Sequence, residues 1–309
     1  MSRLSKGYLI ALVGTFIWST TAIFIRYLTV RYDMPPFVLA FWRDFLLALS
    51  MGVFFALFMR QRFALPAGSW KFMLYYGLVL SIFNSLWTIS VRFNGAAVST
   101  VLAYSSTAFT AILARLFFKE RLDWVKILAV SASITGCVFV SGAHNPAAWH
   151  LNPLGIITGL LSGIGFGVYS LMGKASAQRG INSWTALFYS FGIASIFILI
   201  YTQMPLTFVE TDGQPSLFWL RDAWFGWGLL FVLAIGPTLG GYGLYTLSMT
   251  ILPASVANLI ATLEPSLTAL QSYILLAERF TAAQIAGSVL IIGSVVFIRI
   301  MENRRPDWY

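Results

Sequence analysis

The sequence predicts an all-α membrane protein in which ten transmembrane helices form two five-helix repeats of inverted topology around a central cavity. Three observations lead to that class. Of the 309 residues, 58% are hydrophobic and 10% charged, with a mean hydropathy of +0.79, whereas soluble domains carry roughly 25% charged residues. Apolar runs of bilayer length, about 20 residues, recur from end to end. One unit, an apolar helix leaving through a Glu-Arg turn, occurs twice, at 96–122 and 254–280, which marks an internal repeat.

The first span, 7–28, follows a basic start at Arg3 and Lys6 and carries Trp18. Its apolar stretch is too long for a signal-peptide core and no small-residue cleavage site follows, so it is expected to be retained. Met34-Pro35-Pro36 introduces the second span, 36–59, which carries Trp42, Arg43 and Asp44. The third, 70–92, holds Asn84 and Trp87 and ends before the turn pair Asn94-Gly95. The fourth, 96–118, holds Tyr104 and leaves through Lys119-Glu120-Arg121, and the fifth covers 123–143.

The linker 143–153 then divides the chain into expected repeats of residues 1–148 and 149–309. The sixth span, 153–177, places Gly155, Gly159, Gly163 and Gly167 four apart and so on one face, a stripe for close helix approach. A sliding contact between the halves is the functional alternative. The seventh is 183–203. The eighth, 224–250, contains Gly236-Pro237 and Gly240-Gly241, which predict a kink or break. The ninth, 254–276, has Asn258 and the mid-helix pair Glu264-Pro265, and exits through Glu278-Arg279; the tenth is 281–300.

With the N-terminus placed in the cytoplasm, fourteen Lys and Arg residues fall on the cytoplasmic side, five on the other, and Arg43 lies inside a span. That bias puts both termini in the cytoplasm and the protein in the inner or plasma membrane. It also accounts for the net charge of +9 without a nucleic-acid partner. At an offset of 148, Trp18 falls on Phe166, Arg26 on Lys174 and Arg31 on Arg179; by the fourth span the offset is 158. An odd number of spans per half inverts the second, an arrangement recurrent in secondary transporters, whose substrate site lies near the midplane.

An ionisable group at membrane depth is expensive and suggests function. Arg43 has two readings: a buried ion pair or carbonyl contact that fixes its helix, or a positive charge that faces the cavity and attracts a carboxylate. Glu264 likewise either bonds, when protonated, to backbone freed by Pro265, or binds a substrate ammonium or a proton. Glu120 and Glu278 are expected to fix their turns. Trp18, Trp42, Trp87, Tyr104, Phe166, Tyr169 and Tyr242, with Asn84 and Asn258, are the candidate lining, a mixture suited to a small amphipathic organic solute.

For catalysis the material is missing. Both histidines, His144 and His150, sit in the central linker, the single Cys137 lies within a span, and no metal-ligand cluster or nucleophile motif occurs. No phosphate-binding Gly-x-x-x-x-Gly-Lys occurs either, so no metal, cofactor or ATP-driven step is expected.

Arg43 in the second span, Glu120-Arg121-Leu122 after the fourth, Leu263-Glu264-Pro265 in the ninth, then Glu278-Arg279-Phe280 and Gln284-x-x-Gly287, together resemble the EamA-type members of the drug/metabolite transporter superfamily. The resemblance spans essentially the whole chain. It implies a basket of ten helices with a central cavity, moving small metabolites by alternating access, often outward. In the first repeat Ser106 and Thr107 stand where the second has Glu264 and Pro265, so any role of that carboxylate is asymmetric.

The expectation is therefore a secondary transporter that exports an amino acid, or an aromatic or amine compound. Its cavity would be lined by spans one to four, six, eight and nine, and its partners would be a small-molecule substrate and membrane lipid, compatible with a monomer. The alternatives are an exporter of drugs or sugar-type solutes, a sensory or structural subunit without transport, an intramembrane enzyme, or a channel.

Overall fold

The computed structural model describes residues 2–148, 152–204, 216–276 and 281–304. Glu278 and its exit turn, Trp149, His150 and most of the linker before the eighth span lie outside the described residues. Among the described residues the fold is helical throughout with no strand. Eight helices are long and apolar enough to cross a membrane. Trp124–Val140 is a shorter apolar helix, and a broken pair of helices completes the ten.

The first span is α1 (Arg3–Ser19) followed by α2 (Thr21–Tyr32). The sequence predicts one unbroken helix here, and the structure interrupts it at the single residue Thr20. Ser19 Oγ bonds Phe16 O at 2.7 Å and Thr20 Oγ1 bonds Ile17 O at 2.7 Å, and such back-bonding competes with the helix ladder. The second span is α3 (Pro36–Phe58), with Pro36 in the first turn, where its missing N–H costs nothing.

Helical bonding then runs without interruption through α4 (Trp70–Tyr104), yet this is two crossings. In a straight helix Ser90 and Ser99 would be about 13.5 Å apart along the axis. Their hydroxyls are 2.8 Å apart, so the chain reverses between them, around the expected Asn94-Gly95 turn. The fourth span continues as α5 (Ser106–Phe118) and the fifth is α6 (Trp124–Val140).

In the second half, α7 (Pro153–Gln178) and α8 (Ser183–Gln203) are continuous. The eighth span is α9 (Trp224–Leu233), a wide helical turn over Ala234–Gly240, and α10 (Gly241–Ser248). Pro237 lies inside the wide turn and Thr238 Oγ1 reaches back five residues to Leu233 O at 2.8 Å; the expected distortion at Gly236-Pro237 takes this form. The ninth is α11 (Ala254–Ala261) plus α12 (Glu264–Leu276), and the tenth is α13 (Ala282–Arg304).

The break in the ninth span does not originate with Pro265. At the offset of 158, the break at Ser105 in the fourth span coincides with Leu263, and that copy has no proline. What both share is hydroxyl back-bonding: Ser105 Oγ to Leu102 O at 2.5 Å in one, Thr262 Oγ1 to Leu259 O at 2.5 Å in the other. Pro265 then occupies the first turn of α12, where proline is tolerated.

The halves interlock. The most extensive packings are α4 on α7, α6 on α13, α3 on α8, α4 on α8 and α1 on α10, each joining first half to second. Small residues permit them. A Cβ at Gly159 would lie 2.6 Å from Leu102 Cδ1, and at Gly163 it would collide with Ser105 Oγ. Gly136 and Gly287 would each put a Cβ 2.6 Å from the other's carbonyl oxygen. The glycine stripe of α7 is thus a packing face against both arms of the first half's hairpin. Outward, Phe54, Leu57, Phe58, Leu116, Phe117, Ile274 and Val289 are exposed, an apolar surface that lipid covers.

Candidate functional site

The central cavity is narrow, with room for about 100 Å³, below the roughly 300–1,000 Å³ of small-ligand sites. Seven spans line it: Trp18, Thr21 and Ile25 from the first, Arg43 from the second, and Phe83, Asn84 and Trp87 from the third. Thr100, Ala103 and Tyr104 come from the fourth, with Phe166, Tyr242 and Glu264 from the sixth, eighth and ninth. A second hollow of about 70 Å³ shares Ile25, Arg43, Asn84 and Trp87 and extends to Thr29, Pro36, Leu39 and Val91. The cavity therefore leads toward the end of the bundle where the first and second spans join.

Arg43 and Asp44 pair directly, Nε to Oδ1 at 2.9 Å, although successive helix residues diverge by about 100°. Asp44 is fully buried, and Asn84 Nδ2 donates to its other oxygen at 2.9 Å. The ion-pair reading of Arg43 describes its Nε, held by Asp44, and the residue also lines both hollows. Among the described residues its guanidinium makes no other hydrogen bond. Exchanging Arg43 alone for a neutral residue would therefore leave Asp44 as an uncompensated buried charge, a cost of about 3–5 kcal/mol.

Glu264 begins α12, where the positive helix end favours a carboxylate. Tyr104 donates its hydroxyl to Oε2 in a short hydrogen bond. This replaces the expected bond to backbone freed by Pro265. No other side chain among the described residues bonds or ion-pairs with Glu264.

The aromatic wall is continuous. Trp18 lies 4.3 Å from Tyr242 and 5.8 Å, edge to face, from Phe166, its partner by repeat alignment. Phe166 stacks on Phe83 at 5.1 Å, offset-stacked and edge-on arrangements being the preferred ones.

Three candidates lie off this cavity. Tyr169 is fully buried behind the wall against Tyr76, ring centroids 4.8 Å apart. Asn258 is fully buried in a polar knot: its Nδ2 donates to Ser170 Oγ at 3.2 Å and Tyr245 Oη at 3.4 Å, and its Oδ1 accepts from Ser106 Oγ at 3.3 Å. Trp42 turns outward, donating Nε1 to Leu217 O at 2.6 Å and meeting Trp227 edge to face at 4.9 Å.

Beyond the knot lies an open vestibule of about 390 Å³ lined by Lys174, Gln178, Asn182, Ser183 and Thr250. On α7 the order Phe166, Ser170, Lys174, and on α10 the order Tyr242, Tyr245, Thr250 beyond its end, place the aromatic wall and the knot between cavity and vestibule. A latch seals this end. Pro253 offers no side-chain cap to α11, and Glu120 of the first half supplies it. Its Oε1 accepts from Ala254 N at 3.0 Å, and its Oε2 accepts a short bond from Ser255 Oγ. Lys126 Nζ stands 3.5 Å from Glu120 and donates to Ser255 Oγ at 3.0 Å. Lys174 Nζ donates to Met249 O at 3.0 Å and Leu252 O at 2.8 Å, satisfying carbonyls past the end of α10. Glu120 does more than fix its own turn: it crosses between halves.

Sequence reasoning missed Thr21, Ile25, Phe83, Thr100 and Ala103 on the cavity wall. A signal existed for the first four, each three, four or seven residues from a chosen residue on the same helix face; Ala103, adjacent to Tyr104, had none. Lys126 and Ser255 carried none, because their partnership joins positions 129 apart.

Comparison with known proteins follows this geometry. The model of the EamA-like transporter family matches residues 5–142 and again 153–300. An S-adenosylmethionine uptake transporter of Rickettsia felis is 24% identical over 302 residues, covering 96% of this chain and 92% of its own. The uncharacterized inner membrane transporter YicL of Salmonella typhimurium is 22% identical, with 99% of both chains covered. The adenosine 3'-phospho 5'-phosphosulfate transporter 2 of Caenorhabditis briggsae is 26% identical over 195 residues, 61% of this chain and 51% of its own. One crystal structure superposes with a TM-score of 0.77 over 97% of this chain and 98% of that one, at 16% identity, a likeness of fold.

Proposed function

We propose, from the premise that this chain belongs to the EamA-like transporter family, that it is a secondary transporter working by alternating access on a small organic metabolite with an apolar or aromatic body. Membrane transport of a small metabolite follows from the family and its named relatives. The further steps are ours: inner-membrane location with cytoplasmic termini, net export, an amino-acid-like or amine substrate, and residues 1–148 and 149–309 as the moving halves.

The observation that carries the reading is the cavity between the halves, where aromatic faces from five spans surround Arg43, Asn84 and Glu264. Rings bind the apolar body; Arg43, held through Nε by Asp44, presents its remaining N–H groups to a substrate oxygen. With the vestibule side latched, the cavity leads to the opposite end. Release of the latch and of the wall formed by Trp18, Phe166 and Tyr242 would open the other side.

The test is counterflow of radiolabelled tryptophan, phenylethylamine and S-adenosylmethionine in proteoliposomes, the last because relatives are named for its uptake. The expected result is saturable exchange of at least one solute, lost on Trp18→Ala. Absence of flux and of ligand-dependent thermal stabilisation for all three would favour the non-transporting subunit.

A further inference from the structure

We infer that the site around Glu264 and Tyr104 selects substrates carrying a positively charged group, and that a simple anion is disfavoured. The inference rests on the transport reading and names the chemistry the same cavity accepts. It begins from the balance of charge on the cavity wall. Arg43 projects the one positive charge, and its own neighbour Asp44 already balances it at 2.9 Å. Glu264 in its ionised form is then a formal charge on this wall with no protein counter-ion among the described residues.

Apart from Arg43, already paired with Asp44, the groups that line the cavity with Glu264 carry no charge, among them Trp18, Thr21, Tyr104, Phe166 and Tyr242. An uncompensated carboxylate away from bulk water is costly. A substrate ammonium, guanidinium or sulfonium would relieve that cost, whereas a carboxylate or phosphate alone would add to it. The hydrogen bond from Tyr104 leaves most of the carboxylate's acceptor sites free for such a group. The rings of Trp18, Tyr104 and Tyr242 border the same space, and their electron-rich faces attract cations. A zwitterion satisfies both ends, its carboxylate toward Arg43 and Asn84 and its cation toward Glu264. A purely anionic body satisfies one.

The experiment uses three probes with one aromatic body: tryptamine (cation), tryptophan (zwitterion) and indole-3-propionate (anion). Binding to the purified full-length protein in detergent is measured by scintillation proximity and ligand-induced thermal shift, for wild type and Glu264→Gln. Gln keeps the acceptor for Tyr104 and removes the charge. The expected result is tryptamine and tryptophan binding about tenfold or more tighter than indole-3-propionate, a contrast that Glu264→Gln reduces to about threefold or less.

Indole-3-propionate binding as tightly as tryptamine to wild type overturns the inference, as does an undiminished contrast in folded Glu264→Gln; tryptophan counterflow would survive either result and leave the transport reading standing. If none of the three probes binds wild type, the aromatic-metabolite reading fails and takes the inference with it. Should Glu264→Gln not fold, Glu264→Asp, which keeps the charge on a shorter arm, must preserve the preferred order of probes; reversal of that order overturns the inference.

Discussion

Glu120→Ala is the sharpest perturbation of the seal between the halves. It removes the acceptor of Ala254 N–H, the partner of Ser255 Oγ and the counter-ion of Lys126 in one step. Loss of an N-cap costs about 1 kcal/mol, and loss of a hydrogen bond to a charged acceptor about 1.5–3 kcal/mol. Glu120 is partly exposed, so the lower values apply, and about 2–3 kcal/mol is the expected total. That corresponds to a roughly 30- to 150-fold shift of the closed–open equilibrium at this end. Hydrogen exchange read by mass spectrometry over peptides spanning 254–261 reports it: amide protection in α11 should fall by that order. Glu120→Gln, which keeps one acceptor and loses the charge, should fall between. Protection unchanged within about threefold in Glu120→Ala would show that the seal lies elsewhere and that the latch contributes nothing measurable.

Three further outcomes follow from the packing and the buried polar groups. Gly159→Val should lower the melting temperature in detergent, since its Cβ would meet Leu102 Cδ1 at 2.6 Å and Ser90 Oγ at 2.7 Å, an overpacking cost of about 1–3 kcal/mol; Gly293→Ala, with nothing within 4 Å, should leave it level or raise it. Asp44→Asn should destabilise by about 3–5 kcal/mol by leaving Arg43 uncompensated, while the double change Arg43→Gln with Asp44→Asn should recover most of that loss yet weaken tryptophan binding; equal melting of single and double variants would contradict the pairing. Asn258→Leu leaves Ser106, Ser170 and Tyr245 short of partners and should cost about 1–3 kcal/mol without changing the order of probe affinities, because Asn258 stands behind the wall rather than on it.

Much of the fold was legible because the bilayer leaves few choices: apolar runs of fixed length must be helices, and two Glu-Arg exits reveal the duplication. Trp18 and Phe166 were legible as aligned positions, and they meet edge to face. Finer features depended on groups the apolar pattern ignores. The interruptions at Thr20 and Ser105 fall beside back-bonded hydroxyls, but the same bonds occur within the continuous α7 and α8, so no pattern in the sequence marks them. Arg43 and Asp44 looked free to diverge, yet with water excluded each is the other's nearest counter-charge. The role of Glu120 as a cap was invisible for another reason. The deficit lies at Pro253, which has no side chain to cap α11, and the remedy comes from a residue more than 130 positions away in the chain.

The duplicated break also explains why only one half carries a charge at this point. In each copy the helix is interrupted, and the residue just after the break reaches into the opposite half. Ser106 reaches Asn258, and its aligned counterpart Glu264 reaches Tyr104. Asn258 in turn aligns with Thr100, which lines the cavity beside Glu264. The two environments are thus mirror-placed but chemically unequal. One is packed shut as a neutral knot of Ser106, Ser170, Tyr245 and Asn258. The other is left open with a carboxylate and room beside it. An inverted repeat needs the same breaks in both copies to form matching surfaces on either side of a shared space. On the proposed transport reading, a directional site needs the copies to differ where they would meet the solute, and the exchange of Ser106 for Glu264 would supply that difference at an equivalent break.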